Sequence, residues 1–98
     1  MTKEKMAYYA GFFDGEGYIG YGWRLRVEVR IVNTYLPVLK QLKKDYGGNV
    51  YKRSKTPKRH KPLYDWVIVG RDDVEKFIAD IYPYLIEKKE RVDSILNR

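Results

Sequence analysis

Two carboxylates, Asp14 and Glu16, lie two residues apart in the segment YAGFFDGEG, which occupies residues 9–17. Glycines flank Glu16 on both sides, and the residues before Asp14 are apolar or small. The apolar run predicts a helix over residues 5–14, capped by Thr2 and ended by Gly15 and Gly17. Carboxylate oxygens are hard ligands that suit cations such as Mg²⁺. Two such helix ends side by side, each with one Glu16, would form a negative pocket for a divalent cation.

The small residues of this segment have a second possible use. Gly11 and Gly15 are four apart, with Ala10 beside them, so they form a flat strip on one helix face. Two such strips would let two helices approach almost to backbone contact. A short helix with no polar face is expected to be buried, either in the core or between subunits. From the pattern alone, Glu16 as a surface acid in a turn and the glycines as a plain C-cap remain open.

The charge of the chain points to a polyanionic partner. Its 98 residues contain 20 Lys and Arg against 13 Asp and Glu, a net charge of +7. Such an excess is typical of nucleic-acid binding, although it also serves solubility. The absence of cysteine excludes disulfides and thiolate metal sites, and the single histidine, His60, excludes a multi-histidine zinc site. Without a membrane-spanning run or a secretory leader, an intracellular protein is expected.

The elements that must position these residues follow from periodicity. Residues 25–33 alternate between apolar and charged side chains, which predicts a strand, and residues 37–46 have the apolar spacing of an amphipathic helix. The other predicted strands are residues 18–23, 49–53 and 63–69, and the other predicted helices run from Asp72 or Asp73 to Tyr82 and from 85 to 96. The order predicts one α+β domain over residues 1–98, with a four-stranded antiparallel sheet and helices on one face.

The other face of this sheet would be free to read DNA in the major groove. Arginine there can bind guanine with two hydrogen bonds, Glu28 or Asp65 can accept from cytosine, and hairpin-tip lysines suit phosphates. The predicted DNA-binding residues are Arg24, Arg26, Glu28, Arg30, Lys52, Arg53, Lys55, Lys58, Arg59, Lys61 and Asp65. An ordinary solvated strand face is the alternative. The aromatic residues Tyr8, Tyr9, Tyr46, Tyr64 and Trp66 are interpreted as core and interface groups rather than base-stacking groups.

The segment YAGFFDGEG resembles the LAGLIDADG motif of a family of homing endonucleases. Tyr9 stands for the first Leu, Phe12 and Phe13 for the apolar pair, and Glu16 for the second Asp, which lengthens the ligand arm by one methylene. The predicted element order resembles the family's αββαββα core over nearly the whole chain, and this resemblance implies that the four-stranded sheet is saddle-shaped. The chain is short for the family and lacks additional C-terminal helices.

This resemblance implies roles for individual residues. Glu16 would be catalytic and a metal ligand, and the Gly15 carbonyl would contribute to the metal site. Lys88, which follows Pro83-Tyr84-Leu85, matches the family's active-site lysine, with Lys89 as the alternative. Asn33, at the end of the second strand, would position solvent, with Arg30 as the neighbouring candidate. The expected cofactor is Mg²⁺, with Mn²⁺ as a substitute and Ca²⁺ supporting binding without cleavage.

A single copy of the motif implies a homodimer. Two-fold symmetry then predicts a palindromic or near-palindromic double-stranded DNA site, cut once per strand. The predicted interface residues are Tyr8, Ala10, Gly11, Phe12, Asp14 and Gly15. The implied function is sequence-specific DNA cleavage, associated with intron or intein mobility. Two alternatives are a non-cleaving protein of the same fold, either an RNA-splicing maturase or a DNA-binding regulator, and a protein–protein adaptor that uses the bare helix strip.

Overall fold

A computed structural model describes residues 1–53 and 61–97 and has the predicted order of helices and strands. The elements are α1 (Lys3–Glu16), β1 (Gly17–Tyr21), β2 (Val27–Asn33), α2 (Leu36–Tyr46), β3 (Asn49–Lys52), β4 (Tyr64–Val69), α3 (Arg71–Ile81) and α4 (Lys89–Leu96). Short 3₁₀ turns lie at Trp23–Leu25 and Tyr82–Tyr84. The α+β class is confirmed.

The four strands form one antiparallel sheet in the order β1-β2-β4-β3. Ile31 of β2 lies opposite Gly17 of β1 on one side and Trp66 of β4 on the other. Directly opposed residues point to the same side of a sheet. This register therefore decides which side chains meet the helices.

One side of the sheet, here called the inner face, carries the core. Val29 and Ile31 of β2 and Trp66 and Ile68 of β4 are buried there, in one cluster with residues of all four helices. The Trp66 indole N–H donates to the Gly47 carbonyl at 2.9 Å, which satisfies its polar atom in the core. The opposite side, here called the open face, carries the charged residues of β2.

The helix of the YAGFFDGEG segment is longer than predicted. Gly15 does not end it, because α1 continues through Glu16 and Gly17 takes an extended conformation as its C-cap, donating to the Phe13 carbonyl. At the other end the Thr2 hydroxyl accepts from the Lys5 N–H at 3.1 Å, which confirms the predicted N-cap. Glu16 is thus the last residue of a helix rather than part of a glycine turn.

Two other predicted helix starts were wrong. The C-terminal helix begins at Lys89 rather than at 85, because residues 86–88 hydrogen-bond to Asp14 in a non-helical turn. Helix α3 begins after Gly70, and neither Asp72 nor Asp73 caps it; both lie in its first turn, where a carboxylate still favours the helix dipole.

Two tyrosines tie the helices together. The Tyr9 hydroxyl donates to Asp45 at 2.7 Å, and Lys5 forms an ion pair with the same carboxylate at 2.8 Å. The Tyr46 hydroxyl donates to Asp80 at 2.8 Å. Burial, together with hydrogen bonds to Asp45 and Asp80, raises the pKa of both tyrosines. Burial alone would raise the pKa of Asp45, but hydrogen bonds from Lys5 and Tyr9 and the charge of Lys5 outweigh it and lower that pKa.

The length and the polarity of the helices bear on whether any of them could cross a membrane. Within residues 1–53 and 61–97, no helix combines the length and the apolar character that crossing a bilayer requires.

Candidate functional site

Glu16 ends α1 with its side chain exposed to solvent. None of the hydrogen bonds or ion pairs among the described residues involves this carboxylate. Gly15 precedes it in the last helical turn, where backbone carbonyls lack intrahelical partners. The described part of one chain holds no cluster of three or more His, Asp or Glu able to bind a metal. At the end of α1, the described part of the chain thus presents the Glu16 carboxylate without a second acidic group that completes a metal cluster.

Asp14 has the opposite environment. It is buried, and its carboxylate accepts the backbone N–H groups of Ile86 at 2.7 Å and Lys88 at 3.0 Å. These two hydrogen bonds give Asp14 a structural role within its own chain. It fixes the turn of residues 86–88 against the end of α1.

The side chain of Lys88 also contacts Asp14, at the C-terminal end of α1. Its ammonium donates to the Asp14 carbonyl at 2.5 Å, at the negative end of the α1 dipole. The neighbouring Lys89 instead lies with its ammonium 4.8 Å from the centre of the Tyr82 ring. The structure thus brings Lys88, rather than Lys89, to the motif. It does so from the N-cap position of α4 and not, as predicted, from within a helix.

Asn33 is the last residue of β2, at the end of the sheet where β1 begins directly after Glu16. Its side-chain oxygen accepts the Tyr35 N–H at 2.8 Å, which shapes the turn into α2. The amide N–H₂ group is left for other contacts. The predicted role of Asn33 in positioning solvent stays a prediction.

The outer side of α1 is an exposed strip of small and aromatic residues. Tyr8 is 58% exposed, and Gly11 and Gly15 have open space where a Cβ would lie. Phe12, partly buried, stacks against Tyr8 with ring centres 6.2 Å apart. This strip contains four of the six predicted interface residues.

Ala10 and Asp14 do not belong to this strip. Both are buried inside their own chain, at 0% and 9% exposure, because they share the inward side of α1 with Phe13. Their prediction as interface residues was wrong, since the helical phase turns them toward the sheet. Among the aromatic residues interpreted as core and interface groups, Tyr9 and Trp66 are buried in the core, whereas Tyr8 is exposed on the strip.

The open face of the sheet holds a network of four charged side chains. Arg30 Nη1 lies 2.9 Å from one oxygen of Asp65, and Arg53 Nε lies 3.0 Å from the other. Arg30 Nη2 is also 3.5 Å from Glu28. Asp65 is only 6% exposed. The structure therefore brings these four predicted DNA-binding residues together on one surface.

Other predicted DNA-binding residues lie elsewhere. Lys52 was placed on the wrong face: it lies opposite Tyr64, two residues along β3 from the partly buried Val50, and therefore points to the same side as Val50, toward α2. Arg24 and Arg26 precede β2, which begins only at Val27. Arg24 has a φ of 57° and its guanidinium lies 4.3 Å from the centre of the Trp23 ring.

The basic connection between β3 and β4 is only partly described. Lys61 is exposed beyond the end of the open face. Lys55, Lys58 and Arg59 lie outside the described residues, as does His60.

Sequence reasoning missed two aromatic residues on the open face. Tyr18 lies opposite Arg30 and is 45% exposed, and Tyr51 lies opposite Asp65 and is 53% exposed. The available signal was alternation: Ile19 and Val50 are apolar neighbours that point inward, so Tyr18 and Tyr51 must point outward.

A family model described as a LAGLIDADG-like domain matches residues 3–82 of the 98-residue chain. The chain belongs to the LAGLIDADG family. No curated protein sequence matches it.

Solved structures share this LAGLIDADG fold at low sequence identity. The homing endonuclease I-CvuI, bound to the uncleaved I-CreI target in 2 mM Mg, gives a TM-score of 0.82 at 23% identity, over 97% of this chain and 65% of that one. I-CvuI with its Sro1.3 target in 2 mM Ca gives 0.79 at 22%, with the same two coverages. The archaeal intron-encoded homing endonuclease I-Vdi141I, complexed with DNA, gives 0.75 at 21%, over 96% and 67%. The chain thus spans just under two thirds of the length of I-CvuI and has the homing endonuclease fold.

Proposed function

We propose that this LAGLIDADG chain is a sequence-specific DNA endonuclease that makes a double-strand cut as a homodimer. The observation that carries the proposal is the exposed Glu16 at the end of α1, which has no partner among the described residues, with Lys88 bound to Asp14 at the same helix end. A carboxylate and a cation at one helix end suit phosphodiester hydrolysis, where negative charge develops on the phosphate oxygens.

Dimerisation follows from the single carboxylate. The exposed strip of Tyr8, Gly11 and Gly15 ends next to Glu16, and the space above both glycines is open. Packing this strip against a second copy would bring two Glu16 carboxylates together at the two-fold axis. A symmetric protein of this kind would recognise a palindromic or near-palindromic site.

The donor set fits a hard divalent cation only in such a dimer. Glu16 from each subunit, supported by the Gly15 carbonyls, would hold Mg²⁺, with Mn²⁺ as a substitute. When bound, the ion would neutralise the scissile phosphate and activate a water molecule. Crystals of I-CvuI contained Mg in one case and Ca in the other, which is consistent with divalent metal use in this fold.

The remaining site residues would act on solvent and charge. The Lys88 ammonium would stabilise charge on the phosphate or polarise the attacking water. The amide group of Asn33 would orient that water from the end of β2. Their positions support these roles because both residues lie at the end of the sheet where α1 ends.

Binding of duplex DNA would use the open face. Arg30, Arg53, Glu28 and Asp65 supply base-edge donors and acceptors, and the net charge of +7 supplies attraction to phosphates. Such an enzyme would act inside the cell, and intron or intein mobility is the context that its family suggests.

The decisive experiment replaces Glu16 by Gln. Cleavage of a target selected from a random palindromic library should fall below detection in Mg²⁺, while binding in Ca²⁺ is retained. Glu4→Gln, at the exposed opposite end of the same helix, is the matched control and should cleave normally. Normal cleavage by Glu16→Gln would refute the assignment.

A non-cleaving nucleic-acid-binding protein is the second candidate. One observation favours it: the open-face network is complete within one chain, whereas Glu16 needs a second copy. Wild-type protein that binds its selected site but cuts it in neither Mg²⁺ nor Mn²⁺ would support this candidate. Stronger binding to structured RNA than to duplex DNA would favour a maturase over a regulator.

A further inference from the structure

The four charged residues of the open face form what we call the arginine brace: Glu28, Arg30, Arg53 and Asp65. Asp65 is its centre. Both of its oxygens are occupied, one by Arg30 at 2.9 Å and one by Arg53 at 3.0 Å, and the residue is 6% exposed. A carboxylate that is buried and already accepts two hydrogen bonds is poorly available to accept a further hydrogen bond from a cytosine amino group. Asp65 therefore does not suit the base-reading role that its sequence position suggested.

Arg30 has the complementary properties. Its side chain is 36% exposed, so the guanidinium reaches the surface of the sheet. Its Nη1 is held by Asp65 on β4, and its Nη2 faces Glu28 on its own strand. A guanidinium has five N–H donors in a fixed planar fork, so these two contacts leave donors for an outside acceptor. Guanine presents two such acceptors, O6 and N7, in the major groove.

The neighbours of Arg30 restrict it further. Tyr18 lies opposite it on β1 and Val67 opposite it on β4, so bulky side chains stand on both sides. An arginine on an open surface samples many rotamers and loses that freedom when it binds. An arginine that contacts two carboxylates and lies between two bulky side chains is already ordered before it binds. It therefore loses less conformational entropy, and more of its hydrogen-bond energy contributes to discrimination between bases.

The charge balance of the brace points the same way. Two arginines and two carboxylates sum to zero, so the brace adds little to the general attraction for phosphates. Its contribution should be discrimination between bases rather than affinity for any duplex.

From this geometry we propose that Asp65 is a positioning residue that holds Arg30 as a donor fork for guanine at one position of each half-site. The proposal rests on the proposed function only in requiring that the open face binds duplex DNA, not that the DNA is cut. It predicts opposite effects of one substitution. Asp65→Asn should weaken the guanine preference at that position and, by removing one negative charge, strengthen binding to unrelated duplex.

The test is binding selection from a random duplex library in Ca²⁺, with sequencing of bound sites and titration of an unrelated duplex. Asp65→Asn should reduce the guanine preference at one position per half-site about tenfold and leave other positions unchanged. Arg30→Gln should flatten the same position, and the double variant should lose no more than Arg30→Gln alone. Glu4→Gln removes the same charge away from the sheet and should leave the whole profile intact.

Each result bears on the proposal. A wild-type protein that selects no sequence overturns duplex reading altogether, and the brace with it. If the wild-type protein selects a site and the Asp65→Asn variant keeps every base preference, the proposed role of Asp65 is overturned, but duplex reading is not. A misfolded Asp65→Asn would lower both binding terms and be visible by circular dichroism. In that case Glu28→Gln and Arg30→Gln decide, because they must change the same position, and changes at different positions would overturn the proposal.

Discussion

Asp14 and Glu16 are separated by one glycine but have unrelated surroundings. Residues two apart on a helix do not share a face, so the last turn of α1 sends one carboxylate into the protein and the other into solvent. Asp14 bonds two backbone N–H groups of a distant segment, and Glu16 has no partner among the described residues. The motif thus places one buried, hydrogen-bonded acid and one exposed acid at the same helix end.

The cost of losing the structural acid can be measured. Asp14→Ala would leave the N–H groups of Ile86 and Lys88 without their acceptor, and each unsatisfied buried donor costs about 1–3 kcal/mol. We expect urea denaturation to show a loss of about 2–4 kcal/mol in the free energy of unfolding. Asp14→Asn keeps one acceptor oxygen and should lose less.

Asp72→Ala is the control, because Asp72 is exposed and lies at the start of α3. It should change the free energy of unfolding by less than about 0.5 kcal/mol. Equal losses for the two alanine variants would contradict the role assigned to Asp14.

At the scale of elements, the connection between α2 and β3 depends on two glycines. Gly47 and Gly48 have φ angles of 78° and 85°, which L side chains rarely adopt. They differ in surroundings: a Cβ on Gly47 would meet nothing within 4 Å, whereas one on Gly48 would lie 2.4 Å from the Val67 carbonyl oxygen. Gly48 therefore allows α2 to turn closely onto β4.

This pair separates backbone strain from steric conflict. Gly47→Ala should cost about 1–3 kcal/mol for the strained conformation alone. Gly48→Ala should cost more, because the Val67 backbone cannot move aside without disturbing the β2–β4 and β3–β4 pairing. Chemical denaturation of both variants measures the difference, and equal costs would show that the turn relaxes.

Elements with a strong local signal were predictable from sequence. The alternation of β2 gave its inward residues, Val27, Val29 and Ile31, and the spacing in α2 gave Val38 and Leu39. Local sequence did not give the start of α4 at Lys89, because the turn before it is held by Asp14 from 72 or more residues away. The face of Lys52 was also beyond reach, since it depends on the pairing register of β3 with β4.

The sequence was sufficient to predict which residues belong to the candidate site, but not which way they face or which of them pair. The motif supplied Glu16, and the segment after Pro83 supplied Lys88. Ala10 faces inward and Gly11 faces outward because of the rotation of α1 about its axis relative to the sheet. The sequence of α1 does not define this rotation, since it is apolar on nearly all sides. The pairing of Asp65 with two arginines required the strand order, in which β4 lies between β2 and β3.

At the scale of the whole molecule, stability should depend on pH at both extremes. The pKa of Asp45 is lowered in the folded protein, so the unfolded chain takes up that proton first as the pH falls. Stability is therefore present above the ordinary value of 3.8 and is lost below it. The pKa values of Tyr9 and Tyr46 are raised, so the unfolded chain loses those protons first as the pH rises above 10.0.

We expect the free energy of unfolding to be flat between these limits as far as these three groups are concerned. Asp45→Asn should reduce its decline below about pH 4, and Tyr9→Phe should reduce its decline above about pH 10. Thermal denaturation at a series of pH values measures both slopes. An Asp45→Asn slope equal to that of wild type would show that other carboxylates govern the acid limit.

Substitutions at Gly11 test whether two chains associate through α1. Gly11 lies within α1 and faces open space, so Gly11→Leu should fit the single chain and improve its helix propensity by about 0.8 kcal/mol. The same side chain would hold two α1 helices apart. Sedimentation should then show a dimer for wild type, a weakened dimer for Gly11→Ala and a folded monomer for Gly11→Leu. A dimeric Gly11→Leu would place the interface elsewhere.

The bonds from Asp14 to Ile86 and Lys88 also determine when the end of α1 is completed during synthesis. The acidic end of α1 is made early, but its partners come 72 and 74 residues later. A nascent chain that has already paired β1 with β2 still lacks the lysine and the turn that complete the helix end. The end of α1 is thus completed only after the last segment has emerged from the ribosome. Chains truncated before residue 86 would retain the YAGFFDGEG segment but lack the contact of Lys88 with its helix end.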